Sequence, residues 1–324
     1  MKILVTGGAG FIGSHLCARL LKAGHRVTVL DDLSTGRREN LDGLDVRLVV
    51  RNVNDAETTD ACVAEADCVF HLASAVGVRL IIDQPVRTIS SIVGGTEVVL
   101  QACNRMRKPF LLTSTSEVYG KSANVPFRED DDTVMGATSK RRWSYATAKA
   151  LDEFLALAYW VENRLPVKIV RLFNTVGPRQ TGQYGMVVPG FVRQALRGEP
   201  ITVYGDGTQS RCFSHVQDII WGLEKVMFCD ETAGKVVNLG NDQEITIWHL
   251  AERVRELAGS SSEIVLVPYA EAYGSGFDDM HRRVPCLERA RQLVGYHPTR
   301  QLDDILRDVI AYEREQLENG KQKG

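Results

Sequence analysis

The sequence predicts an α/β fold, a doubly wound parallel sheet joined to a smaller mixed C-terminal domain. Two observations carry this. Apolar runs rich in Val, Ile and Leu alternate with helical stretches up to about residue 175. The runs are near-continuous, as in strands buried on both faces, and strand–helix alternation builds a parallel sheet flanked by helices.

The elements follow in order. "KILVT" at 2–6 is a buried strand, and "FIGSHLCARLLKAG" at 11–24 is a helix that stops at Gly24. Strands recur as "RVTVL" at 26–30, "VRLVV" at 46–50, "CVFHL" at 68–72, "FLLTS" at 110–114 and "VKIVRL" at 167–172. Beyond 175 the rhythm loosens. Helices at 187–197, 246–258 and 301–318 are separated by long loops, and "VVNLG" at 236–240 reads as a late strand returning to the sheet. This divides the chain into a sheet domain, 1–175 with 214–244, and a second domain, 176–213 with 245–324, ending in a polar tail after Gln316.

Composition narrows the function. The chain has 324 residues, 44% hydrophobic and 25% charged, with a net charge of −2, so no basic surface for nucleic acid or anionic membrane is expected. No apolar stretch is long enough to span a bilayer. The start, Met1-Lys2 running directly into a strand, has no signal-peptide layout. Seven cysteines form no C-x-x-C pair and do not cluster with histidines, which points to free thiols, no metal site and a cytoplasmic location.

The first loop, "TGGAGFIG", places Gly7, Gly10 and Gly13 between the first strand and the first helix. Glycines there let the backbone approach a pyrophosphate lying on the helix N-terminus, as in a Rossmann-type dinucleotide site. The spacing is G-x-x-G-x-x-G, and its context is complete: a strand before, a helix after, and Asp31 at the end of the next strand. A carboxylate there accepts ribose hydroxyls and repels a 2′-phosphate, which favours NAD. Arg37 and Arg38 close behind leave NADP as an alternative.

A second constellation is "SYATAK". Tyr145 and Lys149 are four apart and share a helix face. A phenol ordinarily titrates near ~10 and is a poor base at neutral pH. An ammonium beside it favours the phenolate, which would make Tyr145 a general base for an alcohol.

With these residues the chain resembles, over nearly its whole length, the extended short-chain dehydrogenase/reductases that modify nucleotide sugars. Further segments support the likeness: "DCVFHLAS" at 67–74, "STSEVYG" at 114–120, "RLFNTVGPR" at 171–179, "ITVYGDGTQSRCFSHVQD" at 201–218 and "DDMHRRVP" at 278–285. The resemblance implies that the cofactor lies along Phe11 and Ile12, along Asp32, Ser34, Thr35 and Gly36, along Asn52 and Val53, and along Leu72, Ala73 and Ser74. It implies that Thr115 assists Tyr145 and Lys149, while Ser116 and Glu117 at the strand tip select the later chemistry. Asn174, Val188, Tyr204, Gln209, Arg211 and Arg283 are implied for the nucleotide sugar, with Arg282 the neighbour alternative to Arg283. Relatives often carry Asn within the helix that here reads "SSIVGGT", a departure from the pattern.

Members of the family begin alike, by oxidising C4 of the sugar. The 4-keto sugar is then epimerised, dehydrated across C5–C6, or decarboxylated. Dehydratases of deoxythymidine-diphosphate sugars typically carry Asp-Glu where this chain has Ser116-Glu117, although those of guanosine-diphosphate-mannose carry Ser-Glu. "STSEVYG" and "KRRWSYATAK", with Arg142, are similar to segments of the uridine-diphosphate (UDP)-glucuronate decarboxylases, in which Glu and Arg at the positions of Glu117 and Arg211 are implicated in catalysis. The resemblance thus implies a UDP-glucuronate decarboxylase, with 4-epimerase and 4,6-dehydratase as alternatives. A cofactor-binding sensor and an RNA-binding protein are the readings outside enzymology. The first fits poorly with an intact Thr115, Tyr145 and Lys149, the second with the near-neutral charge. The apolar residues Leu151, Phe154, Leu155, Leu157, Ala158 and Trp160 occupy more than one stripe of their helix. Together with the helix near 90–106 they predict a homodimer through a four-helix interface.

Overall fold

The computed structural model describes residues 1–74, 84–181, 186–269, 271 and 280–321. Its centre is a seven-stranded parallel sheet. Six strands come in chain order: β1 (Lys2–Thr6), β2 (Arg26–Asp31), β3 (Val46–Val50), β4 (Cys68–His71), β5 (Phe110–Thr115) and β6 (Val167–Leu172). The late strand (Lys235–Leu239) joins beside β6, as its apolar run predicts. Across the sheet the order is late strand–β6–β5–β4–β1–β2–β3. The order reverses between β1 and β4, which pair with Thr6 opposite His71. Such a reversal opens a crevice beyond the carboxyl ends of the strands, where ligands of open α/β sheets bind.

Alternate residues of each strand feed two separate cores. Ile3 and Val5 face α1 (Phe11–Lys22) and a helix spanning Val216–Phe228, packing with Leu16, Leu20, Ile219 and Leu223. Leu4 faces the other side, where α2 (Ala56–Glu65), α3 (Pro85–Met106) and α4 (Trp143–Asn163) supply Val63, Val99, Leu100, Cys103 and Ala156. α3 opens on a proline, whose missing N–H costs nothing at a helix start, and packs along α4. A third core, including Val188, Phe191, Ile201, Leu250, Val254 and Ile305, gathers the later helices α5 (Val187–Arg197), α7 (Ile247–Ala258) and α9 (Leu302–Lys321); α6 is Val216–Phe228 and α8 is Glu288–Val294.

Element ends differ slightly from the sequence expectation. α1 stops at Lys22, and Gly24 follows at φ +82, a left-handed position that suits glycine. β5 extends one residue further, to Thr115, and β4 stops at His71, which leaves Leu72–Ser74 to line the crevice. α9 runs past 318 to Lys321. Among the described residues no helix is long and apolar enough to cross a membrane.

Candidate active site

A cleft of about 1570 Å³ runs along the carboxyl edge of the sheet, across the point where strand order reverses. Its dinucleotide half is built from backbone. Gly7 sits at φ +71, and a Cβ there would lie 2.7 Å from the Ala73 nitrogen. A Cβ on Gly13 would lie 2.2 Å from the Gly7 carbonyl oxygen. The loop therefore closes on itself with no room for a side chain at residue 7 or 13, and Gly10, Phe11 and Ile12 face the cleft at the start of α1. The Ser74 hydroxyl is buried in the cleft wall with no hydrogen-bond partner among the described residues. A close-packed glycine cradle at a helix start and a buried orphan hydroxyl fit a dinucleotide.

Asp31 lies at the tip of β2, where its Oδ2 accepts the Ala9 N–H at 2.9 Å and its Oδ1 the Leu33 N–H at 2.8 Å. Burial pushes this carboxyl up, against the pull of those two amides. Neighbouring Asp32 accepts from Ser34 N–H at 2.9 Å and Asn52 Nδ2 at 2.7 Å. Burial acts upward on Asp32 too, but the Ser34 and Asn52 hydrogen bonds, with Arg87, hold it below the ordinary value. Thr35, Asn52, Val53, Leu72, Ala73 and Ser74 line the same half, while Gly36 is not part of the wall and packs behind it on Ala9 and Asp31.

The other half gathers at the tip of β5. The Tyr145 phenol and Thr115 lie together on the cleft wall, and the Thr115 hydroxyl accepts the Glu117 N–H at 3.2 Å. Ser116 and Glu117 begin a buried single turn, Ser116–Tyr119, so the acid is carried into the site by the strand itself. Both oxygens of Glu117 are engaged. Arg142 Nη1 bonds Oε2, Arg142 Nη2 donates to Oε1 at 3.1 Å, and Arg283 Nη1 lies 3.4 Å from Oε1. Burial alone would raise this carboxyl. Arg142, then Arg283, then the Arg142 hydrogen bonds and Arg211 outweigh it and hold it at about 2. Arg283, expected on the substrate, and Arg142, from the "KRRWSYATAK" segment, are thus turned toward Glu117, while still lining the cleft. Arg282, the neighbour alternative, pairs with Glu244 at 2.7 Å and does not line this cleft.

Arg211 donates to the carbonyls of Ser210 at 2.7 Å and His281 at 3.2 Å. Asn174 donates to the Cys212 carbonyl at 3.1 Å, and Gln209 to the Tyr204 carbonyl at 2.8 Å; these residues and Val188 face the cleft. Sequence reasoning missed Arg87, Arg179, Met186 and Tyr269, which line it as well. Arg179 stands inside the quoted "RLFNTVGPR", and that motif is the available signal.

Lys149 stands behind the cleft wall, its Nζ buried against Asp152 Oδ2 at 2.8 Å. The phenol of Tyr145 is pushed above its ordinary value, by burial first and by the Glu117 carboxylate second, with the Thr115 hydrogen bond pulling the other way. The Lys149 ammonium meets the i, i+3 carboxylate of Asp152 one turn from Tyr145.

The comparisons agree with this geometry. The family described as NAD dependent epimerase/dehydratase matches residues 3–240. A UDP-N-acetyl-alpha-D-glucosaminuronate decarboxylase of Bacillus cytotoxicus is 40% identical over 98% of this chain and 99% of its own. UDP-glucuronic acid decarboxylase 1 of Xenopus tropicalis is 36% identical over 98% of this chain and 73% of its own. The crystal structure of UDP-glucuronic acid 4-epimerase from Bacillus cereus, in complex with UDP-glucuronic acid and NAD, superimposes with a TM-score of 0.87 at 27% identity, covering 98% of this chain and 100% of that one. Glycine cradle, Asp31, the Thr115–Tyr145 pair and the whole parallel sheet lie in or along the matched span, and the chain belongs to the NAD-dependent epimerase/dehydratase family.

Proposed function

We propose that the chain is an NAD-dependent decarboxylase of UDP-linked hexuronates that converts UDP-glucuronate to UDP-xylose and CO2. The observation that carries this reading is Glu117, bound through both oxygens by Arg142 beside Tyr145, with Arg283 and Arg211 around it. Arg142, Arg283 and Arg211 gather three guanidiniums at the sugar end. That suits a substrate bearing a C6 carboxylate and a diphosphate.

Gly7, Gly10, Gly13, Asp31, Asp32 and Ser74 are the residues that would hold the cofactor. Bound there, NAD would supply a reversible two-electron oxidation at C4, and the C4 ketone would make the C6 carboxylate that of a β-keto acid. Tyr145, aligned by Thr115, holds the proton of the C4 hydroxyl. As CO2 leaves, negative charge moves from C6 to O4, where the phenol is a positioned donor. Glu117, anionic at neutral pH, donates no proton. It fixes Arg142 and Arg283 and offsets part of their charge, so the carboxylate is gripped without being over-stabilised in the ground state. An anionic Glu117 also argues against a dehydratase, which needs an acid for the leaving hydroxide.

Two other readings have a specific observation behind them. The B. cereus structural neighbour favours 4-epimerisation of the same substrate. The B. cytotoxicus relative favours a 2-acetamido hexuronate in place of glucuronate. Incubation with NAD and an equimolar mixture of UDP-glucuronate and UDP-N-acetylglucosaminuronate, read by mass spectrometry, decides among them. Loss of the mass of CO2 identifies the substrate, and unchanged mass with a new isomer favours epimerisation.

Assembly belongs to the same proposal. α4 leaves Leu151, Phe154 and Val161 exposed, and α3 leaves Val86 and Ile89 exposed. A second copy covering these faces would form the expected four-helix dimer. The seven free cysteines fit a reducing compartment such as the cytoplasm.

A further inference from the structure

We propose that His71, Thr96 and Asp152 form a hydrogen-bond line of fixed direction that positions Lys149, with His71 held as its neutral Nε2–H tautomer. The inference rests on the reading that Lys149 and Tyr145 act together on a sugar hydroxyl.

The line is built from buried side chains of four elements. Lys149 Nζ and Thr96 Oγ1 both bond Asp152 Oδ2 at 2.8 Å. His71 Nε2 lies 3.3 Å from Thr96 Oγ1, and His71 Nδ1 lies 2.8 Å from Thr6 Oγ1. Thr6 Oγ1 accepts the Ala73 N–H at 3.3 Å. Asp152 and Thr6 are wholly buried, and His71, Thr96 and Lys149 are each 1% exposed, so water does not compete for these bonds.

Donor and acceptor inventory sets the direction. An ionised Asp152 only accepts, so the single Thr96 hydroxyl proton goes to it. Thr96 Oγ1 must then accept from His71, which puts a proton on Nε2. Burial, the larger influence, and the Lys149 charge push His71 down to about 3, so the ring carries one proton at neutral pH. Nδ1 is therefore an acceptor, filled by the Thr6 hydroxyl, whose lone pair takes the Ala73 amide. Every proton has one place. Stacking on Phe110, with ring centroids 5.7 Å apart, fixes the plane of the imidazole.

One end of this line is the lysine one turn from Tyr145. The other lies under the dinucleotide loop, since Ala73 is the residue a Cβ on Gly7 would strike. Asp152 Oδ1 makes no bond among the described residues, so the carboxylate is oriented by Lys149 and Thr96 alone. His71, Thr96 and Asp152 touch neither cofactor nor sugar in this scheme, and act through Lys149.

Thr96→Val keeps the volume and removes the hydroxyl; Thr96→Ser returns it. With UDP-glucuronate and NAD, Thr96→Val should lower kcat on the order of ten- to a hundredfold with KM little changed, the mark of a misplaced catalytic group. Thr96→Ser should recover most of that loss. Independently of turnover, 15N NMR of histidine-labelled protein, with the His71 signals assigned by their loss in His71→Asn, should show that ring non-titrating in the Nε2–H form, and its signals should move in the Thr96 variants. A kcat for Thr96→Val equal to the parent overturns the proposal. So does a His71 ring protonated on Nδ1, the form a protonated Asp152 would impose by reversing the line. If the parent releases no CO2 from UDP-glucuronate, the functional reading fails, and the tautomer still decides the hydrogen-bond line.

Discussion

Both terminal guanidinium nitrogens of Arg142 meet both carboxylate oxygens of Glu117, 25 residues back along the chain. The pair is buried and joins the tip of β5 to the start of α4, the helix that carries Tyr145. Its removal should therefore be felt in chemistry more than in cofactor binding. Glu117→Gln keeps the size and removes the charge. It should slow CO2 release by roughly 2–4 kcal/mol of transition-state stabilisation, the scale of losses at preorganised polar sites. Calorimetric NAD binding should match the parent, since Asp31 and the glycine loop lie at the other end of the cleft.

The same pair gives a pH signature. The Glu117 carboxyl is held at about 2 in the folded chain against an ordinary 4.5. A lowered folded value means the stabilising contribution is present above the ordinary carboxyl range and is lost as pH falls through the folded value. The stability gap between parent and Glu117→Gln, read by urea unfolding, should be constant above about pH 5 and shrink between 4.5 and 2. A gap independent of pH over that window would mean that Glu117 is not held as an ion pair.

The dinucleotide loop makes a steric prediction. A methyl on residue 13 would fall 2.2 Å from the Gly7 carbonyl oxygen and 2.7 Å from Gly8 Cα, both of them backbone. Gly13→Ala should therefore distort the cradle and weaken NAD binding on the order of a hundredfold or more, as a backbone clash of this kind cannot be relieved by a rotamer change. Isothermal titration with NAD tests it, and unchanged affinity would place the cofactor elsewhere.

Much of this was legible in the residues. The Val/Ile/Leu runs read as strands because a parallel sheet buries both faces, and the glycine spacing together with Asp31 pointed to residues that line the cleft. Two things were not legible. Glu117 was read as facing the sugar, but its arginine partners come from positions 142, 211 and 283, and such separations are set by the fold alone. Lys149 was read beside the phenol without its ion pair to Asp152. The i, i+3 spacing to Asp152 was visible, yet whether a carboxylate at that spacing points into the core or into solvent depends on how α4 rolls against α3 and the sheet.

The apolar face offers a separate test. Phe154 is 69% exposed on α4 and Val86 is 77% exposed on α3, an uncommon display of large apolar side chains on adjoining helices. Light scattering should give twice the chain mass, and Phe154→Glu should reduce it to one without unfolding the sheet domain. A monomeric parent would mean that these faces need no second copy.

The central claim is that C4 oxidation in this cleft leads to loss of C6. The most direct test supplies UDP-glucuronate labelled with 13C at C6, with NAD far below the sugar concentration, and follows label and product together by NMR. The account predicts labelled CO2 in step with UDP-xylose, many turnovers per NAD, no accumulation of reduced cofactor, and no release from Tyr145→Phe. Label retained in a C4 epimer of the substrate, with no CO2, would contradict it.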